Sequence, residues 1–244
     1  IKDRRSPLDI FGQEYFNGEE ASPYRGYHLS ELYPYFRAVA KALKDVFHPS
    51  CVIDIGCAKG FLVYALNNLG VFSIGIDISI YALLSSPKVI RGNLILMDVD
   101  KMNLPFRNNS IDAITILATI EHLYNPERVI REAARILKPG GICFITTPSP
   151  RNKKAFKDPT HINVRDRQRW VKLFTTCGFK VVEGPLKMRF IRKINIELSL
   201  RNIEPVRRTT AVGRLLAKLG RPGKMIRGLL AFALSLLEPS YRFL

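Results

Sequence analysis

The segment Val52-Ile-Asp-Ile-Gly-Cys-Ala-Lys-Gly60 carries the densest chemical signal in the chain. An apolar run ends in a turn with glycines at 56 and 60. Such a turn lets backbone N–H groups approach a ligand without a Cβ in the way, and the helix that follows offers its free amides to the same point. Asp77 lies 21 residues beyond Gly56, at the end of the next apolar run. A carboxylate at that distance suits the two hydroxyls of a ribose. Further candidates stand in later turns. Asp98 and Asp100 are two residues apart, and either could be the next ligand contact. Glu121, His122 and His161 follow, and a histidine near neutral pH can remove a proton from an acceptor.

These residues need elements to hold them. Helical spacing of Leu32, Phe36, Val39, Ala40, Leu43 and Phe47 predicts a helix over 29–47 that Pro49 stops. Strands are predicted at 52–55, 71–76, 94–97, 111–117, 142–146 and 179–182. Helices are predicted at 61–69, 80–84, 126–137 and 165–176. Lys138-Pro-Gly-Gly141 reads as the end of the third of these helices. Asp112 reads as a structural residue that turns the chain into its fourth strand. Alternation of short buried strands with helices predicts a doubly wound, mostly parallel α/β sheet covered on both faces. Its ligands bind at the carboxyl ends of the strands.

The turn at 56–60 separates adenosine ligands. A nicotinamide site needs G-x-G-x-x-G, whereas here Gly56 and Ala58 are followed by Phe61 in the third glycine position. The phosphate-loop pattern is absent. What stands here, D-x-G-x-A-x-G, resembles the first motif of the class I S-adenosylmethionine-dependent methyltransferases, with Ala58 in place of the family's glycine. The resemblance extends through Asp98, Leu104-Pro-Phe106, Asn109-Ser-Ile-Asp-Ala113, Glu121-His-Leu123, Arg131–Gly141, Asp158-Pro-Thr-His161 and Cys177-Gly-Phe179. It covers roughly 52–182 and is greatest toward the small-molecule branch with the ubiquinone O-methyltransferases and sugar and lipid methyltransferases. It implies a Rossmann-like fold, S-adenosyl-L-methionine as cofactor, and methyl transfer by in-line displacement (EC 2.1.1). It also implies cofactor contacts from Asp54, Gly56, Cys57, Ala58, Gly60, Asp77, Ile78, Asp98, Val99 and Leu117, with His122 or His161 assisting proton removal. Some ubiquinone O-methyltransferases hold a divalent ion with two Glu and a His after strand four. Glu121 and His122 match two of these, but Ala118 replaces the first Glu, so no metal is expected.

Composition frames this reading. The chain has 244 residues, 47% of them hydrophobic, which excludes a disordered or fibrous protein. Four cysteines with no C-x-x-C pair argue against a disulfide scaffold or zinc site and fit a reducing, cytoplasmic setting. The start, Ile-Lys-Asp-Arg-Arg, reads as a trimmed chain without a secretory signal. The longest apolar stretch, 229–237, falls short of the roughly 20 residues a bilayer span takes. The formal charge is +17, of which +10 lies in 180–244. That charge calls for an anionic partner or surface.

Four regions are expected. Residues 1–48 form an N-terminal arm and helix whose Tyr15, Phe16, Tyr24 and Tyr27 either pack it down or act as a lid; Tyr24 and Tyr27 are the candidate substrate contacts. Residues 49–187 form the cofactor-binding core. Residues 188–239 form a basic amphipathic helical insertion, and 240–244 the start of the last strand. The insertion is read as a substrate lid, as a helix in a membrane interface, or as a nucleic-acid surface, the last weakened by its few aromatics. The function expected is methyl transfer to a small-molecule or lipid-linked acceptor. The alternatives are an RNA methyltransferase using the basic surface, or a non-catalytic protein of the same fold.

Overall fold

The computed structural model describes residues 10–18 and 26–182, and the backbone of 194–200. Expectations that fall elsewhere, including Tyr24, the basic stretches beyond 200 and a last strand at 240–244, lie outside the described residues. Everything described belongs to one compact unit, Ile1–Arg201.

In chain order the elements are α1 (Gln13–Asn17), α2 (Leu29–Phe47), β1 (Cys51–Ile55), α3 (Phe61–Asn68), β2 (Phe72–Asp77), α4 (Ile80–Leu84), β3 (Leu94–Leu96), β4 (Ile111–Leu117), α5 (Pro126–Ile136), β5 (Leu137–Pro148), α6 (Arg167–Thr176), β6 (Lys180–Val182) and β7 (Ile194–Leu200). The sheet runs β3-β2-β1-β4-β5-β7-β6. Its first five strands are parallel, and β7 is antiparallel to both β5 and β6. The winding reverses between β1 and β4, so the crevice beyond their carboxyl ends is where such a sheet receives a ligand.

The central strands are apolar on both sides because helices cover both faces. Ile53, Ile55, Ile76, Ile114, Ile116 and Ile145 are buried in one core with Val129, Ile130 and Ala133 of α5 and Trp170 and Phe174 of α6. On the other face Cys57, Val63, Leu83 and Ile90 form a smaller cluster. Pro126 opens α5 directly after Asn125, whose side chain accepts from the Arg128 amide, the cap a helix start needs.

Two expectations change. The strand at 194–200 falls inside the stretch 188–239 expected to be a helical insertion, and it lies between β5 and β6 in the sheet. The reason is legible afterwards: Ile194, Ile196, Leu198 and Leu200 alternate with Asn195, Glu197 and Ser199, a period of two. Second, Lys138–Gly141 is not a helix end alone. Strand pairing begins at Leu137 opposite Ile111, and the register shifts before Ala113 meets Ile142. The extra residues form a bulge, and at Gly141 a Cβ would lie 2.9 Å from the Lys138 carbonyl oxygen.

At the amino end of the sheet, Asp112 ties three strands together. Its carboxylate accepts from the amides of Ser50 and Cys51 at 3.0 and 2.9 Å and from Lys138 Nζ at 2.6 Å, confirming a structural role. Partial burial alone would raise its pKa, but Lys138 and the two amides outweigh that and hold it below the ordinary Asp value. Replacing Asp112→Ala is expected to cost about 1–2 kcal/mol at pH 7. A depressed carboxylate stabilises the fold above its unfolded pKa of about 3.9 and loses that contribution as pH falls through the folded value. Urea unfolding should therefore show the variant's deficit at pH 7 and a vanishing deficit near pH 2.

Candidate functional site

Site construction begins at the end of β1. Gly56 has φ +75° and Gly60 φ +68°, the left-handed region that glycine enters freely. The amides of Gly56 and Cys57 both donate to the Ile76 carbonyl, at 2.8 and 3.0 Å. Ala58 adopts φ +51° without being glycine. It is held there by Asp77, whose Oδ2 accepts from the Ala58 amide at 2.7 Å while Oδ1 accepts from the Ser79 amide at 2.8 Å. One buried carboxylate thus fixes the turns after β1 and β2 together. Ile78 stands between Asp77 and Ser79 in the chain. Cys57 is buried against β2, where a Cβ on Gly75 would meet its Sγ at 2.6 Å; it is a packing residue whose thiol burial keeps protonated.

Asp54, one strand position earlier, is also buried and accepts from Thr115 Oγ1 at 2.6 Å. Burial pushes its pKa up to about 7, against the pull of that hydroxyl and with a further push from Asp77. After β3, Asp98 and Asp100 divide their work. Both oxygens of Asp100 accept backbone amides, from Tyr124 and Asn125 at 2.9 and 2.8 Å. Asp98 accepts the Asp100 amide on Oδ1 and pairs with exposed Lys101 on Oδ2. Asp100 is thus held by backbone at both oxygens, whereas Asp98 pairs one of its oxygens with an exposed lysine. The Val99 carbonyl accepts from Arg128.

Across the crevice, Leu117 ends β4 and Ala118 follows at φ +47°, its amide held by Thr146. Thr119 presses against the glycine turn: a Cβ on Gly56 would lie 2.2 Å from its Oγ1 and Cγ2. Beyond it the two predicted histidines meet, with ring centroids 4.7 Å apart. Asp158 Oδ1 accepts the Thr160 hydroxyl at 2.5 Å, so that hydroxyl oxygen can only accept from His122 Nδ1, 2.9 Å away. His161 Nδ1 lies 2.7 Å from the Ala155 carbonyl. Nδ1 is thus the donor nitrogen of both rings, and in the neutral ring the lone pair is on Nε2. Burial, then the neighbouring His161, presses His122 down to about 4, so it is neutral at pH 7. Glu121 beside it is 1% exposed, and neither carboxylate oxygen has a hydrogen-bond partner. Burial pushes it up to about 8, with the Thr147 hydroxyl nearby opposing the rise without closing a hydrogen bond.

The arm lies over this crevice. The Phe11 carbonyl accepts from Ser79 Oγ at 2.5 Å, and the Phe11 ring meets His122 edge-on at 5.5 Å. Tyr15 OH donates to Asp158 at 3.3 Å. Lys59 Nζ sits over the rings of Phe16 and Tyr81. Tyr27, an expected substrate contact, is instead buried in the arm's root, stacked on Phe61 at 5.2 Å. Its ring is consumed by packing, because the arm has to bury an aromatic face to stay down. Glu121, Asp158 and Thr160 were legible as motif positions, but their joint action on the histidines depends on 158–161 folding back against 120–122, which no local spacing encodes.

Residues 53–145 match the family described as methyltransferase domain. The chain is 32% identical over 112 residues to the ubiquinone biosynthesis O-methyltransferase of Cupriavidus pinatubonensis, covering 43% of each. It is 32% identical over 100 residues to the demethylmenaquinone methyltransferase of Corynebacterium kroppenstedtii, covering 40% of this chain and 42% of that one. The chain thus spans less than half the length of the curated relatives it matches. In fold it is similar to a SAM-dependent methyltransferase from Archaeoglobus fulgidus, with TM-score 0.59 at 16% identity over 80% of this chain and all of that one.

Gly56→Ala is expected to destabilise the protein by about 2 kcal/mol or more, from a left-handed non-glycine residue plus the Thr119 clash. If the clash contributes, adding Thr119→Gly should recover part of the loss in thermal melting. A full loss that persists in the double variant would assign the effect to backbone conformation alone.

Proposed function

We propose that this chain, whose residues 53–145 match the methyltransferase domain family, is an S-adenosylmethionine-dependent methyltransferase acting on a small-molecule or lipid-linked acceptor of the quinone or phenol type. The observation that carries the reading is the Asp77 clasp on the glycine turn at the sheet's switch point, facing a buried histidine pair across the crevice.

The donor set fits this cofactor. A carboxylate has about four acceptor sites, and Asp77 uses one on each oxygen within the protein, leaving capacity for ribose hydroxyls. Backbone at Gly56–Gly60 allows close approach, Asp54 lies beneath it, and Asp98 keeps an acceptor for an exocyclic amine. Val99, after β3, and Leu117, the last residue of β4, would line that space. When bound, the cofactor supplies an electrophilic methyl carbon on a sulfonium.

The chain's own residues then have three tasks. Backbone and carboxylates position the donor. The His122 and His161 side holds the acceptor and deals with its proton, each ring offering an Nε2 lone pair. Phe11 and Tyr15 of the arm keep water from the crevice. A quinone-like acceptor is favoured by the two relatives named for ubiquinone and menaquinone methylation. A peripheral membrane contact through the basic stretch after residue 200 would bring such an acceptor to the site; no helix among the described residues is long and apolar enough to cross a membrane. The RNA alternative rests on the +17 charge alone.

Incubation with methyl-labelled cofactor and separate pools of lipid quinone precursors, small phenols and RNA tests the reading. Label should enter the lipid or phenol pool, and His161→Ala should lower kcat by about 100-fold while leaving the cofactor's Kd unchanged. Label in RNA only, or in no pool, would contradict it.

A further inference from the structure

The acceptor wall contains an imbalance that methyl transfer does not explain. Glu121 presents two carboxylate oxygens with no partner from a 1%-exposed position. His122 and His161 have each spent their ring proton elsewhere, on Thr160 and on the Ala155 carbonyl. One donor atom from each of these three residues lies within 4.8 Å of the other two. A fourth acceptor, Asp158 Oδ2, is 3.6 Å from His161 Nε2. Asp158 Oδ2 has one donor, the Tyr15 hydroxyl at 3.3 Å, whereas the two Glu121 oxygens have none. Burying such a group costs several kcal/mol unless something positive sits between.

A single proton would satisfy one pair of acceptors and leave the rest. A divalent cation satisfies all of them at once. We propose that Glu121, His122 and His161 form a binding site for a first-row transition-metal ion, of the Zn²⁺ or Co²⁺ class, with Asp158 supporting it. The hydrogen bonds at Nδ1 have the form that orients metal-ligating histidines: a carbonyl behind one ring and a Thr–Asp relay behind the other. Metal–ligand distances of about 2.0–2.2 Å bring donor atoms closer than 4.8 Å, which modest side-chain rotation supplies. Two imidazoles and one carboxylate select zinc, cobalt, iron or manganese over magnesium, which prefers oxygen and keeps its water. This set is not the two-Glu-and-His pattern of the strand-four turn. Ala118 removes that pattern's first ligand, and the third ligand here comes from His161, after β5.

The inference stands on the wall's own geometry and needs neither cofactor nor acceptor; its failure would leave both histidines as bases for methyl transfer, and an ion bound there would take that role from them. The test uses the full chain stripped with chelator and titrated calorimetrically with Zn²⁺, Co²⁺ and Mg²⁺. One equivalent of Zn²⁺ and of Co²⁺ should bind with Kd in the micromolar range or below, and Mg²⁺ at least 100-fold more weakly. Glu121→Gln and His161→Asn should each weaken Zn²⁺ at least 30-fold with unchanged circular dichroism. For the unsubstituted protein, zinc-edge X-ray absorption should report two imidazoles and oxygen ligation at about 2.0–2.1 Å. Absence of one-equivalent binding, equal affinity in both variants, tighter Mg²⁺, or sulfur ligation at about 2.3 Å from the cysteines would each overturn it.

Discussion

The Asp77 carboxylate bonding two backbone amides, Ala58 and Ser79, in turns 21 residues apart is the interaction on which the site depends. A carboxylate taken out of water is tolerable only when its oxygens are bonded, and N–H donors to an anion are among the stronger hydrogen bonds a protein makes. The clasp fixes the left-handed Ala58, and with it the direction in which the turn's remaining backbone faces. It also sets the local electrostatics. Burial raises Asp77 above the usual Asp value despite its amides, and Asp54 is driven to about 7 in turn. Two acids thus share a small volume without both carrying full charge at neutral pH, which a cationic sulfonium ligand would be free to change.

The other wall is governed by the opposite problem. Around Asp77 donors and acceptors balance; around Glu121 they do not. The Thr160–Asp158 relay and the Ala155 carbonyl determine where the imidazole protons sit, so both Nε2 lone pairs remain for whatever enters. The arm joins the two walls. Phe11 bonds Ser79, next to the clasp, through its carbonyl and touches His122 with its ring, while Tyr15 reaches Asp158. Any movement that opens one side therefore disturbs the other, which couples donor and acceptor access through a few aromatic residues.

Much of this was legible in the sequence because local rules and tertiary demands agree in the core. The elements carrying the glycine turn, Asp77 and the β4 turn fall where their apolar periods and turn residues place them. Three features did not read out. Alternation at 194–200 was overshadowed by the surrounding basic charge, which describes a surface and not a backbone conformation. Lys138-Pro-Gly-Gly141 has the composition of a helix stop and serves also as a bulge, because Asp112 opposite it needs Lys138 within reach. Asp98 and Asp100 could not be told apart until Tyr124 and Asn125 were seen to claim both oxygens of Asp100. In each case the deciding partner is distant in the chain.

Calorimetric titration of the full chain with S-adenosylhomocysteine, set beside NAD under the same conditions, tests most directly whether the clasped turn receives an adenosyl donor. The account predicts one saturable site for the former, weakened at least tenfold by Asp77→Ala, and no measurable heat with NAD. Saturation by NAD with none by S-adenosylhomocysteine would contradict it.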